Sequence, residues 1–227
     1  MYTVTGERHL AERELPHLAG YAGSRPVRVG NGAATQFQGD VVGEVMLALS
    51  MLRDHGVQED RWSWPLQRQL LAFACRHIDD RDQGLWEMRG EPQHFTHSRV
   101  MVWAAFDRGI DAVDSHGLDV DDDLLAQWRE NRERLRAEIL EHGVGPDGAF
   151  AQVYGGTEVD ASLLQIPRTG FCAPDDEHML ATVRRIEEDL STTRASCCAT
   201  APTAPTGKGP TACRARSTPS SCAGSGS

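Results

Sequence analysis

At 227 residues, with 33 acidic against 23 basic side chains and a net charge of −10, the chain has room for one large domain. It lacks the basic footprint that nucleic acid or an anionic membrane surface demands, whereas a neutral polar ligand suits this balance. No apolar run approaches the length of a membrane span, and MYTVTGERHLAERELPHLAGY has no basic stretch followed by an apolar core, so no secretory signal is read there; if Met1 is the true start, this places the chain in the cytoplasm.

Residues 1–40 read as a polar opening segment punctuated by Gly and Pro. DVVGEVMLALSMLRDHG then repeats apolar residues at threes and fours, with Asp40 as the expected N-cap and Gly56 as the stop. RWSWPLQRQLLAFACRHI repeats the pattern, with Pro65 tolerated in a first turn. FTHSRVMVWAAFDRGIDAVDSHG follows, with Thr96 or Ser98 placed to cap it. DDDLLAQWRENRERLRAEILEHG opens on acids and closes on His142-Gly143, as the helix dipole favours. A short helix VDASLLQIP and a longer one, DEHMLATVRRIEEDL, complete the set.

About six helices, no convincing strand and one β-like stretch at GAFAQVYGG make this an all-α chain. Its unequal connections read as stacked helical hairpins with functional loops gathered at one end, and no fixed repeat marks a helical-repeat scaffold. After Leu190 the composition changes. STTRASCCATAPTAPTGKGPTACRARSTPSSCAGSGS holds no large apolar residue and no acid, which predicts a disordered tail over 191–227. Four of the six cysteines fall in that tail. No Cys-x-x-Cys pair and no histidine spacing suits zinc, so no metal site is expected.

The loops carry the candidate chemistry. GLWEMRG sets Glu87 after an aromatic, between glycines, either as a catalytic acid or as a solvated carboxylate. GSRPVRVGN holds Arg25 and Arg28 on a stiff turn, able to fork onto sugar hydroxyls or simply to face solvent. YGGTEVDASLL presents Asp160 before a helix, where capping is the default role. His94 and His97 in GEPQHFTHS read as structural polar groups.

Taken in order, GERHLAERELPHLAGYAGSRPVRVGN, QFQGDVVGEV, GLWEMRGEPQHFTHSRVMVWAAFDRG and EVDASLLQIPRTGFCAPDD resemble glycoside hydrolase family 15, which holds glucoamylases, glucodextranases and bacterial trehalases. The resemblance covers residues 1 to about 190. It implies an (α/α)6 barrel and inverting hydrolysis of an α-linked glucoside or oligosaccharide, with no organic cofactor. It implies Glu87 as general acid, with Arg25 and Arg28 lining the sugar pocket and Trp86 and Asp160 as further substrate-binding candidates. An inverting glycosidase needs one protonated carboxyl and one ionised carboxylate roughly 6.5–9.5 Å apart. Leu85 and Trp86 favour the protonated form at Glu87, whereas Arg89 favours the ionised one.

Several departures set further expectations. Val42 and Gly39 replace the tyrosine and leucine of the family, which predicts looser packing there. The family's early barrel helices and N-terminal β-domain find no counterpart, so Met1 reads as an internal methionine. Its general base lies in a Phe-, Leu- and Trp-rich segment that nothing after Leu190 matches. Reading the tail's codons one base out of register can restore such a segment, with a slip between about Glu188 and Arg194. The expectation is an incomplete barrel over 1–190, inactive alone, followed by a frameshifted tail. The rival readings are a sugar-binding protein without catalysis and a helical interaction module without a ligand.

Overall fold

The computed structural model describes residues 4–7 and 11–191; the expected disordered or frameshifted tail lies outside the described residues, apart from Ser191. After the strands β1 (Arg13–Glu14) and β2 (Arg28–Val29) come α1 (Asp40–Asp54), α2 (Ser63–Arg76), α3 (Thr96–Asp114) and α4 (Asp122–His142). A 3-10 helix, Ala161–Thr169, and α5 (Glu177–Ser191) complete the order. Among the described residues no helix is long and apolar enough to cross a membrane.

Local chemistry sets the ends. Asp121 caps α4, its carboxylate accepting from the amides of Asp123 (3.0 Å) and Leu124 (3.4 Å). Asp40 does not cap α1 as expected: Gly39 is the N-cap, and Asp40 is the first helical residue, buried inside the fold. Neither Thr96 nor Ser98 caps α3, whose N-cap is the extended Phe95. The short fifth helix is of 3-10 type and contains Pro167, which has no N–H to give and whose ring crowds the preceding turn of an α-helix. The opening segment, read as strandless, pairs β1 with β2 antiparallel, Arg13 opposite Val29 and Glu14 opposite Arg28. GAFAQVYGG contributes only isolated bridges, Val144 with Phe150 and Phe95 with Val153.

α1 and α3 lie side by side and parallel. Their first halves meet where a Cβ on Gly43 would stand 2.2 Å from the Met101 carbonyl oxygen, and past their ends His116 lies 3.4 Å from Asp54. α2 runs against α3: Trp64, at its start, donates to the Asp119 carbonyl (2.8 Å) beyond the end of α3. α4 runs against it too, with Arg129 paired to Asp114 at one end and Glu138 to Arg99 at the other. α3 is the hub; Val100, Ala104, Ala105 and Phe106 have no solvent exposure. Val42 is buried in this core despite the shorter side chain. Parallel inner helices alternating with antiparallel outer ones make an incomplete helical toroid, an all-α fold as the sequence predicted.

This alternation brings the starts of α1 and α3 together with the ends of α2 and α4. The loops 11–39, 77–95 and 143–160 therefore gather at one end and are laced there. Gln83 donates to the Phe37 carbonyl (3.2 Å), Thr96 to that of Gln152 (2.9 Å) and Tyr154 to that of His94 (3.0 Å).

Candidate active site

The loop that carries Glu87 is closed at its base by a reciprocal pair of 2.9 Å hydrogen bonds between the backbones of Asp82 and Gln93. The buried Asp82 side chain accepts from the amide of Gly84 (3.2 Å) and, across the site, from that of Gly39 at the start of α1 (2.9 Å). Gly84 adopts φ +67°, and a Cβ there would lie 2.8 Å from the Phe95 ring, so only glycine fits. Glu87 itself has φ 52°. A left-handed conformation costs a non-glycine residue about 1–2 kcal/mol, and such strain concentrates at functional sites. Two backbone bonds hold the turn, Glu87 N–H to the Gly84 carbonyl (3.1 Å) and Met88 N–H to that of Gln83 (2.9 Å), and the Gln36 amide donates to the Met88 carbonyl (3.2 Å).

Glu87 is half-buried and Trp86 is 39% exposed. No described residue donates a hydrogen bond to the Glu87 carboxylate. Arg89, the cation expected beside it, is instead bound through both terminal nitrogens to the two oxygens of Glu12, each at 2.7 Å. Arg89 is the main reason the Glu12 carboxyl is held down at about 2, followed by the Gly32 amide; burial opposes them, and the charge of Arg28 adds a lesser pull in the same direction as Arg89.

The other candidates occupy distinct places. Arg25 is exposed and reaches the Pro16 carbonyl (3.4 Å). Arg28 pairs with Glu12 and Glu14, both at 3.1 Å. Asp160 is buried and caps the 3-10 helix, accepting from the Ser162 amide (2.7 Å), the Ser162 hydroxyl and the Gln152 side chain (2.7 Å). Glu12 joins Arg28 directly to the Glu87 loop, while Asp160 stands on the neighbouring loop.

Three buried polar groups stand at this end: Asp40, expected only as a cap, His97, expected as a structural polar group, and Asp82, which the sequence reading did not single out. Asp40 is held up at about 6, first by burial and then by the charge of Asp82. Burial also pushes the Asp82 carboxyl up; its position two residues before Gly84 is the spacing of an Asx turn, a signal present in the sequence. His97, 2% exposed, is pushed down by burial, and neither ring nitrogen has a partner among the described residues. One group among the described residues could hold a cation, Asp54, Asp111 and His116. It lies at the far end of α1 and α3.

The described helices match the fold of solved glycosidases. One wild-type glycosidase aligns at a TM-score of 0.59 with 19% identity over 74% of this chain and 45% of its own. A variant solved in complex with glucose gives the same figures. The fold is therefore the helical toroid that these solved structures share. The profile of Glycosyl hydrolases family 15 matches residues 1–198, and the chain belongs to that family. Its relatives include a trehalase of Mycobacterium tuberculosis (42% identical over 191 residues), one of Thermoplasma volcanium (35%) and trehalase 1 of Sulfolobus acidocaldarius (34%). Each comparison covers 84% of this chain, which spans only 28%, 30% and 32% of those proteins respectively.

Proposed function

We propose that this chain is the acid-bearing portion of an inverting α-glucoside hydrolase acting on trehalose, and that alone it does not turn over. The observation that carries the reading is Glu87, strained, half-buried and without a donor among the described residues, beside an exposed tryptophan at the loop-bearing end of the toroid. Glu87 protonates the glycosidic oxygen as the bond to the leaving glucose breaks. Trp86 offers an apolar face to a sugar ring. Arg25 and Arg28 line the pocket wall, and Asp160, spent on its own donors, fixes the neighbouring loop. The water-activating carboxylate is assigned to none of the buried acids here: Asp82 and Asp160 are engaged by donors, and Asp40 is packed inside the fold at the start of α1. That the relatives named above are trehalases supports trehalose, and not a longer α-glucoside, as the substrate.

Replacing the matching 191-residue span of the Mycobacterium tuberculosis trehalase with this sequence tests the proposal. Glucose release from trehalose is expected in the chimera and absent from the isolated chain. Glu87→Gln keeps the shape and removes the proton, and kcat in the chimera is expected to fall by at least about 10²-fold. Turnover unchanged by that substitution rules Glu87 out as the acid.

A further inference from the structure

Two separate stretches of the chain, residues 28–32 and the Glu87 loop, converge on the carboxylate of Glu12. Glu12 Oε1 accepts from Arg89 Nη1 (2.7 Å) and pairs with Arg28 Nε (3.1 Å). Glu12 Oε2 accepts from Arg89 Nη2 (2.7 Å) and from the Gly32 amide (3.0 Å). We propose that Glu12 is a positioning residue for Glu87: by binding the Arg89 guanidinium through both oxygens, it docks the acid-bearing loop on the β1–β2 segment and keeps the cation two residues from the acid engaged with a different carboxylate. The inference rests on the reading of Glu87 as the acid.

The geometry restricts the alternatives. A guanidinium offers a planar fork, and a carboxylate meets it in one orientation when both pairs of atoms engage. Here the Arg28 and Gly32 contacts fix the plane of Glu12 from the other side, so Arg89 has a single seat. Arg89 is only two residues from Glu87 on a flexible arm. A general acid must carry its proton when substrate binds, and a cation within about 4–6 Å favours the ionised carboxylate instead. Seating Arg89 elsewhere removes that opposition without removing the charge. The pair is partly exposed, with Arg89 62% and Glu12 17% accessible. Exposed pairs contribute little to stability, so the value of this one lies in where it holds the guanidinium. Glu14 also faces Arg28 and keeps that arginine at the hairpin when Glu12 is changed.

The test uses the full 227-residue chain, labelled with 13C, and follows the Glu87 side-chain carboxyl signal, assigned by its loss in Glu87→Gln. In Glu12→Gln the midpoint of its titration is expected to move to lower pH by about one unit as Arg89 is released. In the double variant Glu12→Gln/Arg89→Gln it is expected to return to within about a third of a unit of the parent. An unmoved midpoint in Glu12→Gln, or a shift that survives loss of Arg89, overturns the proposal. Should Glu12→Gln not fold, Arg89→Gln alone decides: the midpoint is expected to stay within about a third of a unit, and a rise of about one unit would show Arg89 already acting on Glu87. None of these readings requires turnover. Full activity of Glu87→Gln in the chimera would remove the acid role and leave the titrations standing, whereas an unmoved midpoint removes only the role of Glu12.

Discussion

The backbone of Glu87 is where chemistry and stability pull apart. At φ 52° a glutamate carries about 1–2 kcal/mol of steric cost that a glycine does not. Glycine brings its own penalty, about 0.5–1 kcal/mol of extra freedom in the unfolded chain. Glu87→Gly is therefore expected to hold or raise the melting temperature, with a gain of up to about 1 kcal/mol, while removing the carboxyl altogether. Thermal denaturation of the two chains checks this, and a clear loss of stability would mean that the side chain supports the loop. Gly84 is the opposite case: its positive φ and the Phe95 ring leave no room for any substitution.

At the scale of the helices, the α1–α3 contact is set by Gly43. A methyl group there would meet the Met101 backbone at 2.2 Å, and no side-chain rotation relieves a backbone clash. Gly43→Ala is expected to cost about 2–3 kcal/mol, read as a lower urea midpoint at unchanged m-value. The start of α1 also carries a pH dependence. Between the ordinary 3.8 and its folded value of about 6, the folded Asp40 carboxyl keeps a proton that the unfolded one has released. Its contribution to stability is thus complete below pH 3.8 and is lost as pH rises through 6. Asp40→Asn is expected to flatten stability over that range and to gain on the order of 1–2 kcal/mol at pH 7, measured by urea unfolding at stepped pH. Glu12 has the opposite sign: held down at about 2 against an ordinary 4.5, it supports the fold above 4.5 and withdraws that support as pH falls toward 2.

On the scale of the whole molecule, an apolar patch lies exposed where α1 faces the start of α2. Trp62 is 66% exposed and Leu66 54%, and together with Leu49 and Pro65 they line one shallow groove. Contiguous apolar surface of this kind drives association. The isolated chain is expected to self-associate with rising concentration, and Trp62→Gln/Leu66→Gln to reduce it, as sedimentation velocity would show. The five α-helices were legible because apolar residues recur along them at a 3.6-residue period. The turn that carries Glu87 was legible through the glycines of its motif, Gly84 and Gly90, both at positive φ. The seating of Arg89 was not, because its partner lies 77 residues away and only the folded arrangement of helices brings the two together. Asp40 misled for a related reason. An acid at a helix start usually caps it, but packing of α1 into the core carried this one inside.

Asp82 and Gln93 bind each other's backbones, so the acid-bearing loop begins and ends at the same place. Its tip is mechanically separate from the helices on either side. Lengthening such a closed loop changes its closure entropy only slowly, and α2 and α3 would be spared any shift in register. A change of length next to Asp82 or Gln93 would then be absorbed inside the loop, while the docking of Arg89 on Glu12 holds the segment around Glu87 in its seat.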